Sequence, residues 1–147
     1  MSRHRQRMIP ILLLLFLVAP LATMAFDKRP PVIIHRYEIE QPAYRGDPII
    51  LNIEATNLRD CEGIVTRNFS YNGLVLQTPK IPSVVRDNIG LGKTNFVRKI
   101  ELPDFIVGEV TMKTKVERFC NIIQEIFPFF RIETEQPTIT FTILDKL

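Results

Sequence analysis

Alternation of apolar and polar residues over long stretches limits what this chain can fold into. Val110, Met112, Thr114 and Val116 fall in phase with Cys120, while Thr111, Lys113, Lys115 and Glu117 take the other parity. Successive side chains of an extended strand point to opposite faces, so a period of two describes a strand with one face in a core and one in water. Ile49, Leu51, Ile53 and Ala55 alternate in the same way with Ile50, Asn52 and Glu54, as do Ile139, Phe141 and Ile143 with Thr138, Thr140 and Thr142. Half-buried strands of this kind pair antiparallel, because strands of a parallel sheet are covered on both faces and read as continuous apolar runs.

Turn residues divide the pattern. Asn72-Gly73 is a strong hairpin signal, since both residues accept the positive φ that a type I′ turn requires. Pro42, Pro48, Pro82, Pro103 and Pro137 mark further boundaries, because proline cannot donate to a sheet ladder. The reading gives about seven strands, near 32–40, 48–56, 62–71, 74–78, 94–101, 108–119 and 137–145, a number and spacing that resemble an immunoglobulin-like or fibronectin-type sandwich. The expected fold is therefore an all-β antiparallel sandwich, with a short helix before the last strand. The resemblance is one of architecture, covers residues 32–145, and names no family.

Ahead of this domain lies a segment with a different pattern. Arg3, Arg5 and Arg7 precede an apolar run over residues 8–21, and Thr23-Met24-Ala25 places small residues where signal peptidase cuts. Residues 1–25 read as a signal peptide, residues 26–31 as a linker and residues 32–147 as the sandwich domain. Residues 8–26 carry no charge over nineteen positions, close to a bilayer span, so the alternative is an uncleaved anchor. In either case the domain is expected to be exported, to the periplasm or the extracellular space.

Export changes the charge balance and the role of the cysteines. The whole chain has 19 Lys+Arg against 16 Asp+Glu, and Arg3, Arg5 and Arg7 supply the entire excess. The exported part is neutral, which argues against nucleic acid as a partner. Cys61 and Cys120 both lie in it, where an oxidising compartment favours a bond between them. In a sandwich of this type the third strand begins and the sixth ends at one pole, which brings the two cysteines within reach.

Several short strings invite functional readings, and each has a plainer one. Gly90-Leu91-Gly92-Lys93-Thr94 imitates the end of a phosphate-binding loop, but Asp87 stands where that motif needs glycine and a strand follows where it needs a helix. Arg45-Gly46-Asp47 is the integrin tripeptide, placed where turn residues are expected anyway. Asn68-Phe69-Ser70 is a glycosylation sequon inside a strand. His35 is the single histidine after residue 25, and Ser70 and Ser83 are the serines, neither within a nucleophile-elbow motif. Glu38 with Glu40, and Glu133 with Glu135, read as solvated strand faces rather than paired catalytic acids. No metal-ligand spacing occurs and nothing calls for a cofactor, so catalysis is not expected.

The segment after Cys120 fits the sandwich least well. Asn121 and Gln124 have capping-box spacing, which opens a short helix that Pro128 closes. Ile122, Ile123, Ile126 and Phe127 would cover its core side, with Gln124 and Glu125 towards water, as a lid over one end of the sandwich. Six large apolar residues within nine positions are nonetheless many for a loop to hide. Ile123 and Phe127 are expected to be structural, and Ile122, Ile126, Phe129 and Phe130 are the candidate interaction residues. A membrane-surface role has only Arg131 as a nearby cation, and membrane contact is expected only if the N-terminal segment is uncleaved. The expected function is a non-catalytic binding module making protein–protein contacts at the cell envelope or outside it, its partner unidentified and its oligomeric state open. The alternative is a structural subunit of a surface or virion assembly.

Overall fold

The computed structural model describes residues 3–78, 81–83 and 91–146. Helix α1 (Arg3–Ala25) precedes ten strand segments: β1 (Val32–Ile39), β2 (Ala43–Tyr44), β3 (Ile49–Asn57), β4 (Glu62–Tyr71), β5 (Leu74–Gln77), β6 (Ile81–Ser83), β7 (Gly92–Ile100), β8 (Gly108–Phe119), β9 (Ile132–Glu135) and β10 (Ile139–Leu144). Between β8 and β9 lie α2 (Ile122–Ile126) and a 3₁₀ turn (Pro128–Phe130). The strands form two sheets, one of order β1-β3-β7 and one of order β2-β10-β8-β4-β5, with β6 beside β4 and β9 beside β8. All pairings are antiparallel except that of β2 with β10.

The two-sheet all-β sandwich follows from the period-two segments, each of which becomes a strand with its apolar parity inward. Along β3, Ile49, Leu51, Ile53 and Ala55 are buried, and along β8, Val110, Met112, Thr114 and Val116 are buried. The strand segments that pattern reading does not separate are short. β2 is two residues long and follows the cis Gln41–Pro42 bond, where the chain crosses from one sheet to the other. β9 and β10 both pair with β8, as one edge interrupted around Pro137. Two to four residues are too few to show a period.

Asn72 and Gly73 adopt φ of 45° and 79°, the left-handed pair that lets β4 fold directly onto β5. The main apolar cluster includes Leu51, Ile53, Phe69, Ile106, Val110, Met112 and Phe141, and it draws on both sheets. Most of it lies away from the pole at which β4 begins and β8 ends. Nearer that pole polar side chains join the interior: Arg67, Thr114, Arg118 and Asn57 are buried there beside Val116 and Ile132. Tyr37 donates its hydroxyl to Thr114 Oγ1 at 2.8 Å, while Asn57 Nδ2, Arg67 Nε and Arg118 Nη1 have no hydrogen-bond partner among the described residues. Burial lowers the Arg118 pKa from its ordinary value, since desolvation disfavours the charged form.

Candidate contact surface at the disulfide pole

Cys61 and Cys120 are bonded, with Cα atoms 4.3 Å apart. They lie one step beyond the pair Glu62 and Phe119, which are opposite each other in the β4–β8 ladder, so the bond clamps two neighbouring strands of one sheet at their shared end. Everything that follows Cys120 therefore starts from a rigid base.

Asn121 caps α2 by accepting from Gln124 N–H at 3.1 Å. The Gln124 side chain reaches back past the cap and accepts from Cys120 N–H at 2.9 Å, and its Nε2 donates to Asp27 O at 2.8 Å. Every polar atom of this side chain is used, which permits Gln124 to be fully buried. That departs from the helix orientation expected from the pattern. Gln124, expected towards water, is the residue anchored in the protein, while Glu125 is exposed as expected and so are Ile122 (53%), Ile126 (59%) and Phe127 (43%). A helix of five residues cannot bury a whole face, and its orientation is set by the cap and the disulfide rather than by hydrophobicity.

Phe127 is consequently not the core residue that helical spacing implies, and Ile123 is only half-buried. Phe129 is the most exposed of the group at 73%. Phe130 is turned inward, edge-on to Phe26 with ring centroids 5.4 Å apart, and also packs on Phe127 and Phe129. Of the four candidate interaction residues, the structure brings Ile122, Ile126 and Phe129 to the surface, while Phe130 is half-buried and packs against Phe129.

Residues 26–31, expected to be a linker, are fastened to this pole. Asn121 Nδ2 donates to Met24 O at 2.9 Å, Lys28 Nζ donates to Phe130 O at 2.7 Å and to Arg131 O, and Ala25 is buried. Asp27 accepts from Arg29 and from Arg59 Nη2, the latter at 2.7 Å. The hydrogen-bonded Arg29 guanidinium, with Arg59 beside it, holds the Asp27 carboxyl well below the usual carboxylate range. A shallow depression of about 560 Å³ lined by Thr23, Met24, Phe26, Asp27, Arg29, Arg59 and Asn121 lies along this junction. Its two guanidinium groups, Arg29 and Arg59, share the single carboxylate of Asp27. Sequence reading finds only Arg131 as a cation here, whereas the fold adds Lys28, Arg29 and Arg59; their contacts across the chain carry no local signal.

The remaining motifs are absorbed by the scaffold. Arg45 pairs with Asp145 at 3.1 Å and Asp47 with Lys146 at 2.7 Å, so the tripeptide turn is tied to the end of β10. Gly46 has a φ of 76°, which explains the glycine. His35 Nε2 lies 2.7 Å from Thr56 Oγ1 on an exposed strand face. Glu38 pairs with Arg36, and Glu133 with Lys115 at 2.9 Å. Asp87 and Gly90 of the loop-like string lie outside the described residues. Among the described residues no group of three or more His, Cys, Asp or Glu side chains is arranged to hold a metal. No protein-family model matches this chain, and comparison with curated proteins finds no relative.

Proposed function

We propose that this chain is an exported, non-catalytic binding module built on an immunoglobulin-like sandwich and acting through contacts at the cell envelope. Strand order supports the immunoglobulin-like reading: three strands face a larger sheet, and the chain changes sheet after β1 to run parallel to β10. A disulfide-bonded pair fits an oxidising compartment.

The observation that carries the binding reading is the disulfide pole. A rigidly based cluster of apolar side chains is left uncovered there, while the charged groups around it are spent on ion pairs rather than gathered at a reaction centre. Exposed apolar surface on a fixed scaffold is completed by something outside the chain. The structural-subunit reading draws on β1 and β7, the two edge strands of the smaller sheet among the described residues, eight and nine residues long.

Photocrosslinking in the native envelope tests whether a protein partner exists. With a photoreactive residue at Phe129, at Val97 on β7 or at Phe105 on the far pole, at least one position is expected to give a discrete protein adduct. Absence of any adduct from all three sinks the protein-binding reading, and an adduct to a second copy of the chain favours the structural subunit.

A further inference from the structure

The C-terminal end of α1 meets the exposed pole, at Asn121 and α2. Residues 8–26 carry no charge, and charges begin immediately after them at Asp27, Lys28 and Arg29. The helical part of this run, residues 8–25, spans about 27 Å at 1.5 Å per residue, close to the roughly 30 Å of a bilayer's hydrocarbon core. The part of α1 whose side chains are described, residues 13–25, is by itself shorter than a span. With the whole run inserted, the membrane surface falls between Phe26 and Asp27.

The domain grips the chain at that boundary. Asn121 holds Met24 O, Gln124 holds Asp27 O, the Phe130 ring meets Phe26, and Lys28 is bound to the carbonyls of Phe130 and Arg131. These contacts allow the domain little freedom to tilt away from the end of α1. The exposed Ile122, Ile126, Phe127 and Phe129 are thereby held where acyl chains give way to headgroups, with Lys28, Arg29, Arg59 and Arg131 around the junction. Arg29 and Arg59 are paired with Asp27, Arg131 is paired with Glu117, and exposed Glu125 adds a negative charge on α2. The pole is close to neutral, so apolar contact rather than attraction to anionic lipid has to hold it.

We infer that α1 is retained as an anchor and that the disulfide pole rests in the interface of the same bilayer, with Ile122, Ile126, Phe127 and Phe129 against lipid. This inference rests on the reading of the pole as a contact surface and names its occupant. Protein contacts then fall to the faces turned away from the membrane. Embedding the end of the domain in this way makes the last turn of α1 part of the fold: Ala25, at the expected cleavage site, is 5% exposed.

The chain contains no tryptophan, so a single introduced one reports its own surroundings. Full-length Phe129→Trp and Phe105→Trp are reconstituted in phosphatidylcholine vesicles, with Ile126→Trp as a second pole probe should Phe129→Trp misfold. The pole probes are expected to emit to the blue of Phe105→Trp, to lose most of their emission to lipids brominated near the headgroup, and to be shielded from acrylamide. Phe105→Trp should show the opposite on all three measures. Pole emission matching that of Phe105→Trp overturns the inference, as does a blue shift without quenching by brominated lipid, which signals a protein cover. Recovery of a Phe26 N-terminus from the native envelope overturns anchor retention. A protein adduct at Phe129 in the crosslinking experiment removes lipid as occupant while the binding reading stands, whereas brominated-lipid quenching with no adduct at any position leaves the lipid contact and removes the protein partner.

Discussion

The half of the sandwich away from the disulfide is held by apolar side chains from both sheets, whereas the half beneath Cys61 and Cys120 turns arginine, threonine and asparagine inward. In the first half β1, β3, β4, β7, β8 and β10 contribute buried hydrocarbon, each large side chain contributing about 1.5–3 kcal/mol on burial. The second half has fewer such residues and three buried polar atoms without partners among the described residues. What replaces hydrocarbon there is connectivity: a covalent bond between adjacent strands, a fully hydrogen-bonded Gln124, and N-terminal residues tied across the chain. The lesson is that an end of a sandwich can be made rigid without being filled, and that its apolar side chains are then free to face outward.

The largest effect is expected on the filled side. Phe69 is fully buried in the main cluster, and Phe69→Ala should cost about 3–5 kcal/mol, read as a lower midpoint in urea denaturation. A loss below about 1 kcal/mol would show that this cluster collapses easily around a cavity and would erase the contrast between the halves.

Removing the clamp comes next. The cysteines are 59 residues apart, and replacing both by serine should cost about 2–4 kcal/mol. The comparison is sharpened by hydrogen exchange: amides of residues 121–131 should lose protection well before those of β3. Equal acceleration at both ends would break it, because the disulfide would then be stabilising the fold as a whole rather than its pole.

The smallest effects separate anchoring from display within the pole itself. Gln124→Ala leaves the Cys120 amide and the Asp27 carbonyl without their partners and should cost about 1–3 kcal/mol in the full chain. Phe129→Ser, only a few residues on, should change stability by no more than about 0.5 kcal/mol. Thermal melting of the two variants side by side checks this, and a reversed order would return the aromatic residue to the core and the glutamine to the surface.

How far the sequence was legible follows from the range of each signal. The Asn72-Gly73 hairpin and the strands at residues 49–57 and 108–119 are visible because a period of two and left-handed turn residues are local properties. The cysteine pairing is legible because the expected export favours a bond and the expected strand order brings the two cysteines to one pole, where they are bonded. In the candidate surface the composition was readable and the orientation was not. Hydrophobic spacing assigns Ile122, Ile126 and Phe127 inward, and nothing within the helix indicates that Gln124 is the anchor.

By itself, then, the sequence determined the all-β character, the antiparallel pairing, the main hairpin and the apolar nature of residues 122–130, all of which rest on neighbours along the chain. Tertiary structure alone decided which way those residues point and what surrounds them. The partners that settle it, Gln124 with Asp27, Lys28 with Phe130 and Arg59 with Asp27, are separated by 97, 102 and 32 positions. Contacts at such distances leave no periodicity to read, and a five-residue helix buries too little surface for hydrophobicity to overrule them.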